Sequence, residues 1–207
     1  MNRGIARRPV FEGREDVRAF LACVAVGVRS RRVEVHAYVL MTTHFHLAIR
    51  SVTGELSLAM QRIQNRYVRW FNRKRRRDGP LFRGRFRSKL VDTDEHWGTL
   101  VRYIDQNPVE AGLVRHPAEY PYGSAAHYAR RSGPVWLSRG ELERTVMRTL
   151  GKAVYEPTDY DRVFGGEITD GERRVVERRI ASGGRASTTW WTSRRRGFGS
   201  GWSARRG

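Results

Sequence analysis

Residues 41–50 read MTTHFHLAIR, and two histidines flank one phenylalanine inside an otherwise apolar stretch. The preceding Val33–Leu40 has the β-branched, apolar composition of a strand. Thr42–Thr43 then form a tight link to a second strand, His44–Arg50. Side chains on a strand alternate between faces. His44 and His46 therefore project from one face, while Phe45, Leu47 and Ile49 project from the other. One face can pack on a core, and the opposite face carries two nitrogen ligands side by side. That arrangement suits a metal ion, although a histidine pair on a strand also fits an ordinary polar surface.

Outward from this hairpin, Val17, Phe20, Leu21, Val24 and Val28 recur at helical spacing and predict an amphipathic helix over 15–28. Leu56, Met60, Ile63, Tyr67, Trp70 and Phe71 mark a longer helix. A basic loop, Arg73–Pro80, leads to a predicted strand over Leu81–Val91. Thr93 or Asp94 is placed to cap a further helix whose core side is Trp97, Leu100, Val101 and Ile104. The order helix, strand, strand, helix, strand, helix predicts an α+β domain with a mostly antiparallel sheet and helices packed on it, spanning residues 1–128. Residues 129–207 are expected to form a helical, basic and partly flexible C-terminal region. Its helices fall at Glu141–Leu150 and Asp170–Ser182, and its Gly-, Ser- and Arg-rich tail has brief order expected at Trp190–Trp191. No internal repeat is present.

The chain has 207 residues and a net charge of +19, far from the range of an ordinary soluble enzyme. Only Lys74, Lys89 and Lys152 are lysines; the other basic residues are arginines. The planar arginine fork matches phosphate oxygens, so nucleic acid is the expected partner. Cys23 is the only cysteine, which excludes an intramolecular disulfide and fits a reducing cytosol. The longest apolar run, Ala19–Val28, is too short to span a bilayer. A cytoplasmic protein with no membrane association is expected.

Two further stretches carry candidate chemistry. In LVRYIDQNPVEAGLV, Tyr103 and Asn107 are four residues apart, so on a helix they lie nearly on one side. Pro108 disfavours helical geometry at Asn107 and predicts that the helix ends there. A phenol oxygen can attack phosphorus and a carboxamide oxygen can bind a hard cation; a half-buried aromatic beside a C-terminal cap is the plainer reading. Between Arg62 and Arg87 the chain carries Arg62, Arg66, Arg69, Arg73, Lys74, Arg75, Arg76, Arg77, Arg83, Arg85 and Arg87 against Asp78 alone. Aromatics are interleaved with them, a pattern suited to single-stranded nucleic acid. Tyr67, Trp70 and Phe71 also fit a role in the core. The arginines have too little acid nearby to be a balanced solvated face.

Taken together, YVLMTTHFHLAI, RYVRWFNRKRRRDGPLFRGRF and VRYIDQNPVEAGLV, in this order and spacing, resemble the single-tyrosine HUH (His-hydrophobic-His) transposases. The nearest branch is that of the REP-associated tyrosine transposases, which are related to small insertion-sequence transposases. The similarity runs from about Asn2 to Tyr128. The resemblance implies an HUH, ferredoxin-like palm and a metal-dependent single-strand DNA transposase or endonuclease. His44 and His46 fall on the two HUH histidines, Tyr103 on the nucleophilic tyrosine and Asn107 on the third metal ligand. It further implies one Mg²⁺ or Mn²⁺ ion, a 5′-phosphotyrosine intermediate, and single-stranded DNA with hairpin or palindromic repeats as partner, acted on by a monomer or homodimer. No nucleotide triphosphate is needed, and the chain has no P-loop.

Members of the family usually begin with a longer first strand before the segment matched here by NRGIARRPVF, so either the sheet is expected to lack part of an edge or central strand or the true start is expected to lie upstream. Thr42–Thr43 stand where the family often has Pro-Asn. Two other readings accompany the enzyme: a domesticated, non-catalytic DNA-hairpin-binding protein, and a replication or relaxase-type HUH nuclease.

Overall fold

The computed structural model describes residues 1–181; the expected order at Trp190–Trp191 and the flexible tail lie outside the described residues. Three strands form one antiparallel sheet, β1 (Asn2–Arg3), β2 (Val33–Met41) and β3 (His44–Ser51), in the order β1-β3-β2. Thr42 and Thr43 make the hairpin turn, and the β2–β3 register pairs Met41 with His44 and Val39 with His46. The register slips between Val35 and Ala37, so His36 sits at a bulge. Helix α1 (Arg14–Arg29) precedes the hairpin and α2 (Leu56–Lys74) follows it. Helix α3 is Asp94–Glu110, and α4 (Ala125–Ala129), α5 (Gly140–Leu150), α6 (Pro157–Phe164) and α7 (Asp170–Ala181) complete the described chain.

The α1–α2 layer covers the Phe45 face of the sheet. Phe20 meets Phe45 with ring centroids 4.7 Å apart, and Tyr67 meets Phe20 edge-on at 5.2 Å. The helices approach closely because Gly27 has no side chain: a Cβ there would lie 2.9 Å from Cδ1 of Ile63. Asp16, almost fully buried, accepts from the backbone N–H of Glu12 and Gly13 at the start of α1 and from Arg75. The opposite face of the sheet is covered by α3.

Neither outer edge of the sheet is left bare, the usual safeguard against unwanted strand pairing. Along β2, Ser124 N–H donates to Tyr38 O, Leu40 N–H to Tyr122 O and Ser138 N–H to Val35 O. Beside β1, Arg83 N–H donates to Arg3 O and Arg87 N–H to Met1 O. The strand predicted over Leu81–Val91 is therefore corrected to an extended segment with a single bridge, Phe82 to Gly4. β1 is two residues long, so there is too little partner strand to order a ladder.

Residues after Tyr128 pack on the same core rather than apart from it. Tyr155 donates to Tyr128 O, and Tyr128 stacks on Tyr160 with centroids 4.8 Å apart. The helices predicted at Glu141–Leu150 and Asp170–Ser182 appear as α5 and α7.

Candidate active site

α3 begins as its sequence predicts: the Thr93 hydroxyl accepts from His96 N–H at 3.1 Å, and Asp94 and Glu95 occupy the first turn. Its end differs. Pro108 lies inside the helix, which continues to Glu110 instead of ending at Asn107. A proline there removes one backbone donor. The last turn is held by other means, since Gln106 Nε2 donates to the carbonyls of Gly165 and Gly166 and Arg173 forms a two-pronged ion pair with Glu110. Arg102 adds a 3.4 Å ion pair to Glu172, so α7 and the turn before it clamp α3. Inside the helix, Asp105 is buried and accepts from the Tyr160 hydroxyl; burial pushes its carboxyl up to about 7.

This clamped helix brings Tyr103 and Asn107 against the two histidines. His44 and His46 stand with ring centroids 5.2 Å apart at 88°, and the Tyr103 ring meets His46 edge-on, also at 5.2 Å. Asn107 Nδ2 donates to Tyr103 O at 2.5 Å. The Asn107 side chain also lies beside His44, where it favours the protonated imidazole, and the Thr43 hydroxyl meets His44 Nδ1 at 3.2 Å. The histidine pair and the Tyr103–Asn107 pair, more than 50 positions apart in the chain, thus meet in one place.

The electrostatics suit ligation. Burial holds the imidazole of His44 below its ordinary range and that of His46 well below it, so both rings are neutral at neutral pH with lone pairs to donate. His46 is buried, with its ring edge-on to both His44 and Tyr103. Two neutral imidazoles and a carboxamide oxygen form a donor set for a divalent ion. Among the described residues no group of three or more His, Cys, Asp or Glu side chains is placed to hold a metal ion. Tyr103 is buried, and that burial, with Glu177 and Glu110 adding negative charge, pushes its phenol up to about 12. The free protein therefore keeps the phenolic proton.

The basic stretch separates into four groups. Arg62, Arg66 and Arg69 line a depression between α1 and α2, beyond the Phe45 face and away from α3. Lys74 and Arg75 are engaged in the fold: Lys74 pairs with Glu15 at 2.5 Å, and Arg75 pairs with Asp16 at 2.7 Å and lies 3.8 Å over the Phe71 ring. Arg83, Arg85 and Arg87 are exposed, form no ion pair among the described residues, and belong to the segment that runs beside β1, whose Arg3 pairs with His44. Arg73 and Arg76 are exposed, and Arg77 is half-buried near Phe71. Sequence reasoning missed the clamp of Gln106, Glu110 and Arg173, because its partners are far apart in the chain and each looks like surface polarity.

Among curated proteins, none matches this sequence. A solved structure of a REP-associated tyrosine transposase bound to a REP hairpin is similar, at 17% identity and a TM-score of 0.51, over 82% of this chain and 89% of that one. At that identity the likeness establishes the fold, an α+β palm with an antiparallel sheet. The family model described as "Transposase IS200 like" matches residues 1–107, a span that contains both histidines, the tyrosine and the asparagine. The chain belongs to the IS200-like transposase family.

Proposed function

We propose that the protein is a metal-dependent single-strand DNA transposase that cuts and rejoins DNA through Tyr103. The observation that carries this reading is the convergence of His44, His46, Tyr103 and Asn107 at one end of the sheet's α3 face. His44, His46 and Asn107 would hold one Mg²⁺ or Mn²⁺ ion. Bound there, the ion would act as a Lewis acid on a phosphate oxygen and offset the charge that develops in the transition state.

The chain's own residues do the rest. Asn107 ties its side chain to the Tyr103 carbonyl and lies beside His44, so the nucleophile and the ligands keep a fixed spacing. The clamp of Gln106 and Glu110 holds the helix that carries them. The Tyr103 oxygen loses its proton and attacks phosphorus, the bond from phosphorus to the 3′ oxygen breaks, and that oxygen takes up a proton. The products are a 5′-phosphotyrosine and a free 3′-hydroxyl, and the reverse attack rejoins strands without a nucleotide triphosphate. Arg83, Arg85 and Arg87 steer the backbone towards the site. A hairpin substrate is supported by the REP hairpin bound in the similar solved structure.

The test is incubation with a labelled hairpin carrying single-stranded flanks, in Mg²⁺, Mn²⁺ or EDTA. A protein–DNA adduct that survives SDS is expected with a metal and is lost in EDTA and in His44→Ala or His46→Ala. An undiminished adduct in EDTA would overturn the metal assignment. Tight hairpin binding with no adduct under any condition would favour a non-catalytic hairpin-binding protein.

A further inference from the structure

We propose that the buried amides of Asn2 and Gln64 are positioning residues for the reaction, holding the Arg83–Arg87 segment in fixed register with the strand that carries the two histidines. The inference rests on the transposase reading above. The segment follows β1 in antiparallel order at first: Ile5 N–H donates to Leu81 O, Phe82 bridges to Gly4, and Arg83 N–H donates to Arg3 O. Had that order continued, Met1 would lie opposite Arg85. Instead the Met1 carbonyl accepts from Arg87 N–H at 2.9 Å. The segment thus carries two extra residues between its bonds to Arg3 and to Met1, a bulge that takes in Gly84 and Arg85. Such bulges re-aim the side chains around them.

The Asn2 side chain holds the bulge. Both hydrogens of its Nδ2 are used, one to Gly84 O and one to Gln64 Oε1, each at 3.0 Å, and its Oδ1 accepts from Arg3 N–H at 2.9 Å. Asn2 is 4% exposed and Gln64 8%. Gln64 shares the buried side of α2 with Met60, Ile63 and Tyr67, and its Nε2 has no hydrogen-bond partner among the described residues. For stability alone an apolar side chain would do better there, because it would leave no buried donor unpaired. What the amide supplies is the acceptor that orients Asn2. Asn2 in turn stands opposite Phe45, and Arg3 opposite His44, in the β1–β3 register. One chain of hydrogen bonds therefore runs from the strand of the histidines through β1 to the segment that bears Arg83, Arg85 and Arg87. Like charges so close along the chain repel one another, so the segment keeps its course only if it is tied down. A strand whose phosphates rest on these arginines then reaches the histidines in one position, as attack by a fixed nucleophile requires.

The experiment compares the wild type, Asn2→Ala, Gln64→Leu and the double variant on a hairpin with a single-stranded flank in Mn²⁺. It follows the salt dependence of binding, the rate of adduct formation at saturating DNA, and the melting temperature. Each single variant should slow adduct formation by about tenfold or more, as a misplacement of about 1 Å does. Each should also flatten the slope of log K on log salt by about 0.7, the share of one phosphate. The double variant should lose no more than the worse single one, because the two amides act as a unit. A lowered melting temperature with the wild-type slope and rate overturns the proposal, and so do losses that add in the double variant. A wild type that binds the hairpin but forms no adduct overturns the transposase reading. The slope then decides the tether alone: flattened in the variants, it supports the tether as a determinant of DNA binding, and unchanged, it overturns it.

Discussion

The Phe45 face of the sheet is packed by rings: Phe11, Phe20, Tyr67 and Phe82 close around it, and the Tyr67 hydroxyl donates to Val10 O. The His46 face is covered, among the described residues, by α3, and there His36 Nε2 and Trp97 Nε1 are buried without a hydrogen-bond partner. The same strand thus contributes, residue by residue, to stability on one side and to chemistry on the other. The α1–α2 face resembles the inside of any close-packed domain, whereas the α3 face carries a desolvation cost that a bound ion, nucleic acid or water would offset.

Substitutions on the two faces should therefore separate stability from activity. The largest loss of stability is expected for Phe20→Ala, about 3–5 kcal/mol in urea unfolding, because a fully buried ring is removed from a packed cluster. His44→Ala, half-buried on the other face, should cost less than about 1 kcal/mol while abolishing DNA cleavage. Equal losses of stability at the two positions would erase the distinction.

Asp16→Ala comes next. It would leave the Arg75 guanidinium without its buried partner and the N–H groups of Glu12 and Gly13 without an acceptor, a loss of about 3 kcal/mol. Burial opposes the ionised Asp16 carboxylate, but Arg75 and the backbone donors outweigh it and hold the carboxyl below its ordinary value of 3.8. A depressed folded pKa means that this stability is present above the unfolded pKa and is lost as the pH falls through the folded one. Thermal melts of the wild type and Asp16→Ala should therefore converge below about pH 4. A gap that persists undiminished at acid pH would contradict the ion-pair account.

The smallest effect separates two kinds of arginine. Arg83→Gln with Arg85→Gln should flatten the dependence of log K on log salt for single-stranded DNA by about 0.7 per lost phosphate contact, with no change in melting temperature. Arg75→Gln should lower the melting temperature and leave that slope in place. The opposite pattern would put the DNA path across α2 rather than beside β1.

Much of this molecule is legible in its sequence wherever a local period is strong. The helices over 15–28 and 56–71 and the His44–Arg50 strand appear within a few residues of their observed ends. Leu81–Val91 misleads because Leu81, Phe82 and Phe86 among arginines imitate a strand, and the short β1 gives it nothing to pair with. Asn107 misleads in the other direction, because the tertiary clamp through Gln106 and Glu110 overrides the local effect of Pro108. Among the arginines, Arg75 and Arg76 look alike in sequence; only the position of Asp16, on another helix, makes one structural.

The central claim is that Tyr103 is the nucleophile, and trypsin offers a direct measurement. Cleavage after Arg102 and Arg115 releases YIDQNPVEAGLVR, whose only tyrosine is Tyr103. After reaction with a single-stranded hairpin substrate in Mn²⁺, nuclease trimming and tryptic digestion, mass spectrometry should find the residual phosphonucleotide on that peptide. Tyr103→Phe should melt like the parent, bind the same DNA and carry no nucleotide anywhere. A nucleotide on a peptide containing another tyrosine, or an adduct that survives in Tyr103→Phe, would contradict the account.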